Sequence, residues 1–283
     1  MLKNVSIDQV QEFAVDGINS RLGSHGMGIT GSYLQDSRHT QVSDRFAVIQ
    51  AASVGQALAE RGFNMTSVIT GKGRHEDKKD FQRTIARYRS TDAFEIEGLN
   101  LDIIYISKHL GRGMDELRLG LYRGVCANAW ATGTLFECVR FRHTGNPAEN
   151  IQQGILNVLS QRTQLIDAVK RMQSVQMDAV KIDALCKQFA AIRLESVPNA
   201  LNVNYRALAK VRRNDDAKLD LFTVANVLQE NVIRYPLSYQ VESVDANGVE
   251  FLRNQSTRRF KESSEALVNL NGKLFDAAMQ FAA

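Results

Sequence analysis

Proline is scarce in this 283-residue chain, with three, and so are cysteine, with three, and tryptophan, with one. So few prolines argue against long rigid linkers. Cys126, Cys138 and Cys186 cannot build a disulfide framework, and the count fits a reducing cytoplasm. No run approaches the ~18 consecutive apolar residues of a membrane-spanning helix, so no membrane association is expected. The opening MLKNVSIDQVQEF has no basic segment leading into an apolar run, so no secretory signal is expected either. Neither terminus carries an acidic tail, and there is no internal repeat or low-complexity tract. With 44% hydrophobic and 23% charged residues, the composition is that of a globular protein of one large or two smaller domains.

The periodicity divides the chain. Residues 1–43, with the glycine-rich stretch Gly23 to Gly31, read as an arm or loop-rich lead-in. Asp44 is placed to cap a helix over about 45–61, which Gly62 ends. Residues 65–70 alternate and are β-branched, alternation over 83–89 favours a second strand, and 93–97 with 99–107 read as a strand pair around Gly98. The run Leu101, Ile103, Ile104, Tyr105, Ile106 marks a central strand. Residues 135–143 alternate as another strand. From Asn146-Pro147 the pattern turns helical, with helices expected over about 148–173, 178–194, 219–229 and 264–281 and a polar connection over 236–257. The expected fold is α+β: an N-terminal helix plus an antiparallel β-meander half, followed by a mostly helical C-terminal half. The divisions are 1–43, 44–147 and 148–283.

Motifs for chemistry fail on context. Gly26-Met27-Gly28-Ile29-Thr30-Gly31 spells G-x-G-x-x-G, but no strand precedes it, so a loop is the default. Gly71-Lys72 lacks the upstream glycine and the following Ser or Thr of a phosphate loop. None of the five histidines has a second histidine or a cysteine at metal-ligand spacing. A Cys126–His143 nucleophile would require two strands to pair, and a buried free cysteine is far commoner. No catalytic residues, metal or cofactor are assigned.

Charge is more informative. The net charge of +4 permits nucleic-acid binding without demanding it. Residues 72–89 hold seven basic groups (Lys72, Arg74, Lys78, Lys79, Arg83, Arg87, Arg89) against three acids, with Phe81 and Tyr88 interleaved. Cations on one strand face beside aromatics can track a phosphate backbone while bases stack; otherwise the segment is a solvated sheet face. Arg112, Arg123, Arg140 and Arg142 could form a second basic wall. A further cluster, Arg258-Arg259 with Lys261, has a weaker case because it can simply complement a helix terminus.

The run Arg123-Gly124-Val125-Cys126-Ala127-Asn128, followed by Phe136, Arg140, Arg142, His143, Thr144 and Gly145, resembles the phage- and plasmid-borne domain-of-unknown-function family numbered nine-three-two. Asp44 to Ile49, Gly62-Phe63, His109-Leu110-Gly111 and Asn226 to Glu230 also match, so the resemblance covers roughly 43–280. Two positions depart from the pattern. Ala129-Trp130 stands where the family usually has Gly-Leu, and Ser107-Lys108 precedes His109 where relatives often show Asn-Ser. The resemblance implies a mobile-element origin and a bacterial cytoplasm, and carries no settled activity. A helix ending in Gly-Phe-Asn, then a β-meander and a further helix, is also similar in topology to ring-forming single-strand annealing proteins, which bind single-stranded DNA in a basic groove without metal or nucleotide. Fold alone does not give function.

The expectation is a single-stranded-DNA-binding, strand-annealing protein of phage or plasmid recombination and replication. It would be a homo-oligomer and not an enzyme. The alternative is an interaction protein that binds or inhibits a host factor. Cys126, Asn128 and His143 are read as structural: core filler, turn residue and strand-end hydrogen bonder.

Overall fold

The structure is a computed structural model; it describes residues 6–12, 14, 31–71, 73, 75–96, 98–110, 113–123, 128–131, 138–258, 260 and 265–283. The chain divides into two compact units, Met1–Gly124 with Phe136–Thr163, and Val125–Leu135 with Gln164–Ala283. The first therefore runs past the boundary read near 144–148 and keeps the helix that follows it.

The first unit is built on an antiparallel meander, β1 (Phe63–Thr70), β2 (Thr84–Ser90), β3 (Leu99–Ser107) and β4 (Asp115–Arg123), with β6 (Val139–Phe141) paired to β4. Two short helices, α1 (Ile7–Glu12) and α2 (Gly31–Leu34), precede α3 (Ala51–Ala59). One face of the sheet buries Met65, Tyr88, Leu101, Ile103, Tyr105, Leu117, Leu119 and Phe141. Against it lie α3, through Ala51, Val54 and Leu58, and α4 (Pro147–Ser160), through Ile151, Ile155 and Val158. On the opposite face Ile85, Ile104, Ile106 and Asp102 are buried as well. Burial on both faces explains why β3 reads as a nearly continuous apolar run, and it is the central strand expected of it.

In the second unit, which begins within α5 (Arg162–Ser174), helices α6 (Ala179–Arg193), α7 (Leu221–Arg234) and α8 (Glu265–Gln280) pack together. A short strand, β5 (Asn128–Ala131), lies against α8. Asp178 and Asp220 cap α6 and α7 by accepting from the backbone N–H groups of Lys181 (2.8 Å) and Thr223 (2.9 Å). Leu221 through Val232 are all buried, so α7 is the centre of this unit. Most of its buried polar groups are matched: Gln229 Nε2 donates to Asn271 Oδ1 (2.7 Å), Asn231 to the Leu208 carbonyl (2.6 Å), and Glu230 grips the Arg213 guanidinium at 2.6 Å through both oxygens, whereas Gln229 Oε1 is buried without a hydrogen-bond partner.

Four local expectations are corrected. The helix expected over 45–61 starts only at Ala51, because 46–50 is extended: the Ala47 N–H donates to the His143 carbonyl (2.7 Å) and Asp44 pairs with Arg38 instead of capping. Residues 93–96 form no strand; β3 pairs with β2 and β4, and 91–98 is the connection, turning at Gly98 with φ +77°. The helix expected over 148–173 breaks at Gln161, where Ser160 and Gln161 side chains both donate to the Asn157 carbonyl. The connection over 236–257 is a hairpin, β7 (Ser238–Val244) and β8 (Glu250–Ser256), turned by Asp245 to Gly248. The Asp245 carboxylate accepts from the N–H groups of Asn247 and Val249, and Gly248 has φ +81°. Asp-x-Asn-Gly between β-branched residues was its sequence signal.

Candidate functional site

Register decides what each strand residue faces. Arg87 lies opposite Ile104, Arg89 opposite Asp102, Arg118 opposite Ile104, and Glu116 opposite Ile106 and Arg140. Arg87, Arg89, Arg118 and Arg140 therefore share one sheet face with Asp102, Glu116 and Tyr122. On this face most of the charge is neutralised from within. Arg89 grips the buried Asp102 bidentately (2.9 and 3.2 Å) and lies over the Tyr122 ring at 3.6 Å. Burial lowers the pKa of Arg87, a trend that Asp102 opposes, and its buried Nη1 has no hydrogen-bond partner. Burial raises that of Asp102 in spite of Arg89.

Glu116 is the exception in cation count. Its carboxylate accepts from Lys108 Nζ (3.1 Å), Arg118 Nη2 (2.6 Å) and the Cys138 thiol (3.5 Å). Burial would raise its pKa, but the Arg118 and Lys108 hydrogen bonds outweigh burial and hold it down. Arg140 approaches the same carboxylate only to 3.8 Å and stays 53% exposed. One carboxylate thus faces three cations, and the excess charge emerges at β6. Beside it opens a cleft of about 430 Å³ between β6 and α4, lined by Arg140, Arg142 and Thr144 and by the amides of Asn150, Gln153 and Asn157. Asn150, Gln153 and Asn157 recur at helical spacing on one face of α4. Gly154 lets that helix approach: a Cβ there would fall 2.8 Å from Val139 Cγ1 and closer still to the Phe141 ring.

Behind the cleft is a buried polar cluster that sequence reading did not find. Asp115 accepts from Tyr105 Oη (2.5 Å), the Lys108 N–H (2.7 Å) and His143 Nε2 (3.0 Å). His143 Nδ1 faces the Ala47 carbonyl at 3.2 Å, and its ring stacks on Phe46 with centroids 4.2 Å apart. Both ring nitrogens face oxygen atoms that can accept a hydrogen bond, an arrangement that favours the doubly protonated ring. Burial would lower its pKa, but Asp115 overrides burial and raises it above 6.5. His109 shifts the other way, chiefly through burial, with His143 adding to the effect and Asp115 opposing it. Nearby, Tyr33 and Tyr88 share a 2.7 Å hydroxyl–hydroxyl bond.

A pH dependence follows. A raised folded-state pKa means that the stabilisation from His143 is complete below the unfolded value of about 6.5 and is lost as pH rises through the folded one. Urea denaturation from pH 5 to 9 is expected to show the loss from His143→Gln largest at the acid end and shrinking towards the alkaline end. A constant difference would overturn this assignment.

Of the other sequence-assigned residues, Arg83 and Arg142 are exposed, Lys78 is half-buried, and Lys79 is exposed and paired with Glu76 in a 3-10 turn, Glu76–Phe81. Arg123 lies opposite Leu99, on the face away from Arg140. Lys72, Arg74, Arg112 and Cys126, with Arg259 and Lys261 of the weaker cluster, lie outside the described residues, and Asn128 is described by its backbone in β5 alone. The structure therefore unites Arg140 and Arg142 at one cleft, pairs Arg89 with Asp102, leaves a buried nitrogen of Arg87 without a hydrogen-bond partner, and ties His143 to Asp115. Among the described residues no group of three or more His, Cys, Asp or Glu is placed to hold a metal ion. Nor is any helix among them long and apolar enough to cross a membrane.

The cleft and the cluster behind it are built from Arg140, Arg142, His143 and Thr144, the residues that carry the central sequence motif. A family model described as "Domain of unknown function (DUF932)" matches residues 38–267, which include all of them. The chain belongs to the DUF932 family. Two Escherichia coli (strain K12) proteins, UPF0380 protein YafZ and UPF0380 protein YfjQ, are 26% and 25% identical to it over 211 residues. Each alignment covers 74% of this chain and 76% of the relative. No solved structure matches it. Within this DUF932 chain the motif's histidine contacts Asp115 of β4 and the Phe46–Ala47 segment.

Proposed function

We propose that this DUF932 protein binds single-stranded DNA as a homo-oligomer in phage or plasmid recombination and replication in the bacterial cytoplasm. Strand annealing is the activity to test, and the proposal assigns no catalytic centre. One observation carries this reading: the cation excess around Glu116 surfaces as Arg140, beside exposed Arg142, at an open cleft lined with amides. Phosphates are the natural partners of two exposed guanidinium groups, and amide side chains suit unpaired base edges. The basic meander contributes exposed Arg83 and Lys79, whereas Arg89 is held by Asp102.

The test is fluorescence anisotropy with a labelled single-stranded oligonucleotide, against duplex, at two salt concentrations. Salt-sensitive binding that prefers the single strand is expected. Arg140→Ala with Arg142→Ala is expected to weaken it roughly tenfold at low salt and to flatten the salt slope by about 1.4, two phosphate contacts' worth. Unchanged affinity in the double variant overturns the site. No binding by the wild-type chain at low salt overturns the nucleic-acid reading in favour of a host-protein partner.

A further inference from the structure

The hairpin β7–β8 is the most exposed apolar element among the described residues: Val244, Val249, Phe251 and Leu252 are 63, 59, 47 and 47% exposed. Two antiparallel strands with both faces wet are marginal alone, and this pair is anchored at one end only. Leu237 and Thr257 close its base, and Leu201 and Gln240 exchange two 2.7 Å backbone hydrogen bonds along the outer edge of β7. On β8 no described residue covers the outer edge. The backbone bond from Asp245 to Val249 sets the alternation of the ladder, and the Leu201–Gln240 bridge confirms that even-numbered residues point their backbone groups outwards. Glu250, Leu252 and Asn254 therefore present an unpaired row of N–H and C=O groups, which is a template for another strand.

Charge selects the occupant. Residues 238–256 carry Glu242, Asp245 and Glu250 against Arg253 alone, which is repulsive to a phosphate backbone. A second copy of β8 fits. Paired antiparallel about Leu252, the strand meets itself as Leu252 opposite Leu252, Phe251 opposite Arg253 twice, and Glu250 opposite Asn254 twice. Each is a favourable cross-strand pair, and the outward-pointing even residues meet as hydrogen-bonded pairs. Sliding by one allowed step one way sets Arg253 against Arg253. One step the other way sets Phe251 against Phe251 but leaves Glu250 opposite Leu252 and Arg253 opposite Val249, each charge facing an apolar side chain, and two steps set Glu250 against Glu250. We propose that the edge of β8 joins two copies of this chain about a two-fold axis at Leu252. This gives the homo-oligomer of the preceding section a specific surface, and it stands whether or not DNA is bound.

Analytical ultracentrifugation of the full chain without nucleic acid tests it. The wild type is expected to sediment above monomer mass at tens of micromolar. Leu252→Lys, at an exposed position that leaves the fold intact, is expected to reduce the mass at least twofold. Mixing Leu252→Lys with Leu252→Glu is expected to restore it, since opposite charges then face each other. Leu252→Cys is expected to cross-link on oxidation where the wild type does not, because Cα atoms of such a pair lie about 5.5 Å apart, within disulfide reach. A wild type that is monomeric at every concentration overturns the proposal. So does an assembly that Leu252→Lys leaves unchanged and Leu252→Cys fails to cross-link.

Discussion

Replacing Asp115 by alanine is expected to destabilise the first unit by about 3–5 kcal/mol, a large share of the ~5–15 kcal/mol typical of folded domains. The carboxylate is fully buried and is the common acceptor for Tyr105, the Lys108 N–H and His143. Its loss strands a hydroxyl, an amide and an imidazole ring in a buried site. Asp115→Asn keeps the shape and one carbonyl acceptor, so its loss is expected to be smaller. Coupling separates this cluster from a simple packing effect. His143→Gln is expected to cost less in the Asp115→Ala background than in the wild type, with a cycle energy of about 0.5–3 kcal/mol from urea midpoints. Additive losses would show that the pair does not act as a unit.

Gly154→Ala is expected to destabilise by about 1–3 kcal/mol, although the same change in an unobstructed helix gains ~1 kcal/mol from propensity. The reversal of sign comes from the packing of α4 on β6. The added methyl meets half-buried Val139 and the buried Phe141 ring, so one of them must shift to admit it. Because α4 and β6 also wall the cleft, the variant is expected to weaken single-strand binding together with stability. Phe141→Leu in the Gly154→Ala background makes room and is expected to recover part of both. A neutral or stabilising Gly154→Ala would show that the helix is free to shift.

How much of the site was legible follows from the range of the interactions. The Arg140-x-Arg142-His143 spacing was visible, and so was the position of His143 as a hydrogen bonder at a strand end, because a strand-end motif is local. Its partner was not: Asp115 is 28 residues away and Ala47 is 96. No periodicity links such positions, and only β4–β6 pairing brings them together. The basic run 72–89 was equally visible, but the internal partners of its cations were not. Alternation correctly put Arg87 and Arg89 on one strand face, yet it could not show that β3 sets Asp102 opposite Arg89. The hairpin over 236–257 was overlooked because its apolar residues are too few and too exposed to resemble core strands, although its turn residues were present.

By itself the sequence determined the α+β class, the central position of β3, the helical character of the segments over about 178–194 and 219–229 and the family, since each depends on residues within a few positions of one another or on a contiguous motif. Tertiary structure decided which charges are free. A guanidinium is a phosphate ligand or a fold element according to what the neighbouring strand places across from it. Register is a pairing between distant segments, so Arg89 was consumed by Asp102 while Arg140 arrived third at a carboxylate already satisfied.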